Sequence, residues 1–184
     1  YYPTYMDRFF DEHGIRVELA AGDLDLLARN TCDFASISYY QSSVCSVDET
    51  AEHPAGNLVC TVKNPYLQVT DWGWQIDPVG LRTALNKLYD RVRKPIFISE
   101  NGMGARDVLA HGEQGDVVHD PYRIDYLRRH FAQIDEAVHD GVDVLGYIMW
   151  GAIDIVSAGS CEMEKRYGVV YVDADNLGNG SYRR

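Results

Sequence analysis

The run Pro95-Ile96-Phe97-Ile98-Ser99-Glu100-Asn101-Gly102 sets a carboxylate at the C-terminal tip of an apolar strand, with a glycine turning the chain soon after it. In barrel enzymes that end of a strand is where the chemistry is kept. A carboxylate placed there can serve as a nucleophile, as in glycoside hydrolysis with retention. That reaction needs two carboxyl groups about 5 Å apart, one attacking and one acting as acid and then as base. Glu100 is the candidate for the first. Tyr40, at another strand tip, can donate its hydroxyl to the carboxylate and fix its orientation, and Trp150, ending a third strand, can lie under a sugar ring. Each residue alone also has a plainer reading: a solvated loop charge, a packing tyrosine, a core tryptophan.

A second cluster lies between Asp154 and Tyr167, where small hydroxyls, glycine and two cations gather in an otherwise acidic chain. Ser157 and Tyr167 offer hydroxyl donors and Lys165 a point charge, a set suited to a phosphate. Composition alone favours a plainer reading, a salt-bridged surface turn with Lys165 and Arg166 beside Glu162 and Glu164.

The elements that must position these groups alternate in type. Residues 4–12 and 20–29 read as short helices, the second with Leu24, Leu26 and Leu27 marking an apolar face. Residues 33–40 read as a strand, followed by an irregular stretch over 47–77 with 58–62 as a short hairpin arm. Pro78 opens a helix whose buried face is Leu81, Leu85, Leu88, Tyr89 and Val92. The strand 96–99 comes next, then a glycine-rich and charged loop over 101–120. A helix follows from Pro121, with Leu127, Phe131, Ile134 and Val138 on one face and Gly141 as its stop. Residues 144–150 form a third buried strand, and 167–172 an exposed arm. Strand, helix, strand, helix, strand predicts an α/β unit with a parallel sheet.

At 184 residues and 46% hydrophobic content, the chain supports one globular unit over 1–184. Seventeen basic against 28 acidic residues give a net charge of -11, which disfavours nucleic acid and anionic membranes as partners. Cys32, Cys45, Cys60 and Cys161 show neither a C-x-x-C pair nor a matched histidine spacing, so neither a metal site nor a disulfide framework is expected. No leader pattern or membrane-length apolar run is present, and a cytoplasmic location is the expectation.

Five blocks occur in the order found in a known family: Asp33-Phe34…Ser38-Tyr39-Tyr40, Trp72-Gly73-Trp74-Gln75-Ile76-Asp77-Pro78…Gly80-Leu81, Ile98-Ser99-Glu100-Asn101-Gly102, Trp150-Gly151…Asp154 and Lys165-Arg166-Tyr167-Gly168…Tyr171-Val172-Asp173. On these the chain resembles the C-terminal part of family-one glycoside hydrolases, specifically the 6-phospho-β-glucosidases. The resemblance implies a partial (β/α)8 TIM barrel, made of the last three β/α units (strands six to eight). It implies Glu100 as nucleophile, Tyr40 as its hydrogen-bond partner, Trp150 as the wall of the glycone subsite and Trp74 towards the aglycone. Family members acting on unphosphorylated sugars carry Glu-Trp where this chain has Ser157-Ala158. The resemblance therefore makes Ser157, Lys165 and Tyr167 a phosphate triad, and Ala158 favours the gluco over the galacto epimer.

The implied reaction is hydrolysis of 6-phospho-β-D-glucosides to glucose 6-phosphate, with no metal or organic cofactor. The family's acid/base Glu lies in a T-x-N-E block that these residues lack, so the chain alone is expected to be inactive. It is also expected to associate with the remainder of the barrel or with itself. Two other readings stand beside this one: a non-catalytic sugar-phosphate-binding module, and a β-glucosidase in which the Ser157 loop is structural.

Overall fold

The computed structural model describes residues 3–48, 50–51, 62–113 and 115–181. Along the chain it contains α1 (Met6–Glu12), α2 (Asp23–Arg29), β1 (Ala35–Ser38), α3 (Pro78–Val92), β2 (Ile96–Asn101), β3 (Leu109–Gly112), β4 (Gly115–Val118), α4 (Pro121–His139) and β5 (Val144–Met149). Two compact units result, Tyr1–Asp33 and Phe34–Arg184.

In the first unit both helices are shorter than their patterns suggested, and neither contains a buried residue. Gly22, at φ 93°, occupies the left-handed region and blocks helix before Asp23. The side chain of Asp23 instead accepts the Ala20 N–H at 2.8 Å. The expected apolar face of α2 is corrected: Leu24, Leu26 and Leu27 are all exposed.

The second unit is built on a three-stranded sheet in the order β1-β2-β5, with both pairings parallel. The alternation of strands and helices is thus borne out. β1 is shorter than the expected 33–40, yet pairing continues past its end, because the Tyr39 N–H donates to Glu100 O at 2.9 Å. Ile96 and Ile98 turn to one face and meet Leu81 and Leu85 of α3 and Ala137 of α4. Burying each such aliphatic side chain is worth about 1.5–3 kcal/mol.

α3 begins where its sequence says it should. The Asp77 side chain accepts the Gly80 N–H at 2.9 Å, and Pro78 supplies the first turn. The Tyr39 hydroxyl donates to Asp77 O at 2.7 Å, tying the exit of β1 to the start of this helix. Leu81 and Leu85 are fully buried, while Leu88, Tyr89 and Val92 are partly so.

α4 shows a rotated face. Its buried residues are Arg123, Tyr126, His130 and Ala137, while Phe131 and Val138 are exposed. Polar groups hold those interior positions through partners for some of their atoms: Arg123 forms ion pairs with Asp107 and Asp120, and His130 sets Nδ1 2.8 Å from Tyr126 O with its ring tilted against the Tyr126 ring. The loop 101–120 is not wholly irregular either, since β3 and β4 pair as an antiparallel hairpin. The expected arm 167–172 is corrected in part. Tyr167 and Gly168 are buried, and Val170 bridges Ile153, whereas Val169 is exposed. The hairpin arm at 58–62 falls, but for Val62, outside the described residues.

Candidate active site

β2 leaves the core carrying Glu100 and Asn101 at its end. Asn101 is fully buried and held from three directions. Its Nδ2 donates to Tyr39 O at 2.7 Å and to the Tyr126 hydroxyl at 3.0 Å, and its Oδ1 accepts from the Tyr147 hydroxyl at 2.9 Å. These partners come from the exit of β1, from α4 and from β5. The tip of β2 is thereby fixed, and with it the backbone from which Glu100 projects.

The Tyr40 hydroxyl donates to Glu100 Oε2 at 2.9 Å. Burial first, then the hydrogen bond to Glu100 and its charge, push the Tyr40 pKa well above the ordinary phenol value, so the group stays a donor. Trp74 stands edge-on to the Tyr40 ring, with centroids 5.3 Å apart. The Trp150 N–H donates to Asn101 O at 2.9 Å, which places the tryptophan directly beyond β5 and beside the tip of β2. Tyr40, Trp74, Glu100, Trp150, Ala158, Gly159 and Tyr167 line a cleft of about 210 Å³.

Behind the Tyr167 and Trp74 wall lies the second cluster. Ser157 Oγ and the Tyr167 hydroxyl are 3.2 Å apart, and Ser160 Oγ donates to Ser157 Oγ at 3.0 Å. Lys165 is only 1% exposed, and its Nζ has no hydrogen-bond partner. The ammonium lies 4.1 Å from the Trp74 ring centroid, 5.5 Å from Trp72 and 5.7 Å from Tyr167. Cation–π contacts contribute about 0.5–2 kcal/mol, whereas removing an ammonium from water costs several kcal/mol. The aromatic faces therefore leave the charge under-compensated. Burial lowers the Lys165 pKa to about 8, opposed by the nearby charge of Glu162.

The surface-turn reading of this segment is overturned. Arg166 pairs with Asp154 at 2.8 Å, with both side chains buried, and Glu164 pairs with Arg106 instead. Glu162 accepts the Trp72 indole N–H at 2.9 Å. Asp154 also accepts the N–H groups of Gly168 and Val172, and Arg166 donates to Val172 O and Ala174 O. Lys165 and Tyr167 flank this clamped arginine, which is why their side chains have defined places.

All seven residues singled out from the sequence lie at or beyond the C-terminal ends of the three parallel strands. Six of them fall into two connected groups, Glu100 with Tyr40 and Trp74, and Ser157 with Tyr167 and Lys165, and Trp150 joins them along the cleft. Trp74 links the groups, offering a face to Lys165 and meeting Tyr40 edge-on. Three supporting residues were not given a role from sequence: Asn101, Trp72 and Asp154. All three stood inside the motif blocks, but only coordinates show what they touch. Among the described residues no group of three or more His, Cys, Asp or Glu side chains is arranged to hold a metal ion, and no helix is long and apolar enough to cross a membrane.

The family model for glycosyl hydrolase family 1 matches residues 1–184. The chain belongs to that family. This family 1 chain is 52% identical over 184 residues to the aryl-phospho-β-D-glucosidase BglH of Bacillus subtilis (strain 168), covering 100% of the chain and 39% of the relative. It is 50% identical over 185 residues to the 6-phospho-β-glucosidase AscB of Escherichia coli (strain K12), covering 100% of the chain and 38% of the relative. The 6-phospho-β-galactosidase of Leptotrichia buccalis is 35% identical over 180 residues, covering 88% of the chain and 37% of the relative. Among solved structures, the Thermotoga maritima β-glucosidase in complex with noeuromycin superposes with a TM-score of 0.70 at 30% identity, covering 94% of this chain and 36% of that one. The family 1 chain thus spans well under half the length of the relatives it matches.

Proposed function

We propose that the chain supplies the nucleophile, the glycone wall and the phosphate-recognition loop of a retaining 6-phospho-β-glucosidase. In this reading it forms the last three β/α units (strands six to eight) of a (β/α)8 barrel. The observation that carries the proposal is Lys165, a buried ammonium without a hydrogen-bond partner, 5.7 Å from the ring of Tyr167, whose hydroxyl pairs with Ser157, and 4.1 Å from the ring of Trp74, which meets Tyr40 of the Glu100–Tyr40 pair. A sugar phosphate is the ligand that supplies the missing anion on one side and presents a glycosidic carbon to a carboxylate on the other. The match of all of this chain to part of two enzymes named for phosphorylated β-glucosides supports the same substrate class.

Glu100 attacks the anomeric carbon as the glycosidic C–O bond breaks, giving a covalent glycosyl-enzyme. The Tyr40 hydroxyl keeps one carboxylate oxygen occupied, so the other is the one presented. Trp150 packs against the sugar. The leaving oxygen takes its proton from an acid group that these 184 residues do not supply, and that group then draws a proton from the water that releases glucose 6-phosphate. One carboxylate cannot attack and protonate at once.

The test is hydrolysis of a chromogenic aryl β-glucoside, with and without its 6-phosphate, by the polypeptide in which the chain occurs. Cleavage of the phosphorylated form should dominate, and Glu100→Gln should lower kcat by about 10³-fold or more. Preference for the unphosphorylated glucoside would reduce the Ser157 loop to structure and make the enzyme a β-glucosidase. Retention of sugar-phosphate binding with no Glu100-dependent turnover would make it a binding module.

A further inference from the structure

The position of Lys165 depends on a residue in the loop that follows Glu100. Gly104 is buried, and a Cβ built on it would lie 2.6 Å from Lys165 Cγ, 2.8 Å from Cε and 3.3 Å from Cδ. Real Cβ atoms do not approach neighbours below about 3.0 Å. The lysine stem lies directly across the bare Cα. Gly104 does not occupy the positive-φ region, so its backbone would accept an L residue. The constraint is the lysine stem.

That stem cannot easily move aside. Ala105 and Arg166 form an antiparallel bridge, with N–H to O distances of 2.9 and 3.0 Å, and this sets the register of Gly104 against Lys165. Arg166 is anchored in turn by Asp154. At the far end Nζ meets the Trp74 face. The lysine is pinned at its backbone by the bridge and at its head by the indole, and the contact point between them has room only for a hydrogen.

We propose that Gly104 is a specificity-positioning residue: by lacking a side chain it seats the Lys165 stem so that the ammonium stands against the Trp74 and Tyr167 rings, where a sugar 6-phosphate is recognised. This rests on the phosphate reading of that loop and adds to it a residue that touches no substrate. Gly104→Ala lifts the stem and withdraws the ammonium from the Trp74 and Tyr167 rings. Because Gly104 acts through Lys165, its effect disappears when the stem atoms are absent.

The experiment is a double-mutant cycle on the polypeptide in which the chain occurs: wild type, Gly104→Ala, Lys165→Ala and the double variant. For each, kcat and KM are measured on an aryl β-glucoside with and without 6-phosphate. Gly104→Ala is expected to lower the ratio of the two kcat/KM values by 10-fold or more, chiefly through KM for the phosphorylated substrate. In the Lys165→Ala background the same substitution should change that ratio by less than 2-fold. If Lys165→Ala lowers the ratio and Gly104→Ala does not, the positioning role is wrong while the phosphate reading stands. If Lys165→Ala leaves the ratio unchanged, the phosphate reading itself is lost and the positioning role with it. Equal losses on both substrates, or additive losses in the double variant, would show general damage to the fold and overturn the proposal.

Discussion

At the scale of single residues, the chain places an under-compensated cation beside its reactive cleft. Lys165 has its pKa lowered to about 8, chiefly by burial, so the ammonium holds its proton below that pH and loses it above. If it grips the substrate phosphate, KM for a phosphorylated glucoside should climb as pH rises through about 8, with no matching rise for the unphosphorylated one. A flat KM across pH 7–9 would deny Lys165 that role. The stability consequence follows from the same shift. A lysine whose folded pKa lies below its unfolded value favours folding above the unfolded pKa of 10.5, and that contribution is lost as pH falls towards 8. At neutral pH the charge therefore lowers stability in the absence of an anion. Lys165, Ser157 and Tyr167 were legible in sequence as residue types suited to phosphate. The aromatic enclosure was not, because Trp72 and Trp74 are about ninety positions away along the chain and only the fold brings them over the ammonium.

At the scale of elements, the segment from Asp154 to Ala174 is organised by one buried ion pair. The Asp154 carboxylate meets the Arg166 guanidinium and the N–H groups of Gly168 and Val172. Removing one partner of such a pair leaves a buried charge exposed to nothing, at a cost of about 3–5 kcal/mol. Asp154→Ala should lower the unfolding free energy measured by urea titration by an amount in that range, and it should disorder the placement of Lys165 as well. A change under about 0.5 kcal/mol would mean that the clamp is dispensable. The strands, α3 and the sheet direction could be read from periodicity because apolar residues dominate those cores. α4 could not be oriented the same way, since Arg123 and His130 take interior positions that a hydrophobic template assigns to Phe131 and Val138. The β3–β4 hairpin also escaped, its strands being only four residues long and without a buried apolar face, as the exposed His111 and Gly112 illustrate.

At the scale of the whole molecule, the sheet has two edges, β1 and β5, and apolar groups stand open near them: Leu145 and Ile148 on β5, Phe131 and Val138 on α4. Unpaired strand edges and contiguous apolar surface favour association. The 184-residue chain, prepared alone, is expected to sediment as a mixture of species above the monomer and to show no turnover of either glucoside. A single monomeric boundary, or activity near that of the polypeptide in which the chain occurs, would contradict this. The paired backbones of Ala105 and Arg166 bear on a different question, that of exchange between enzymes. The stretch after Glu100 and the stretch carrying Lys165 are expected to transfer only as a pair, although some sixty residues separate them. Grafting 154–172 onto an enzyme whose residue matching Gly104 carries a side chain should confer little unless 102–106 travels with it, since the incoming lysine stem would meet that side chain.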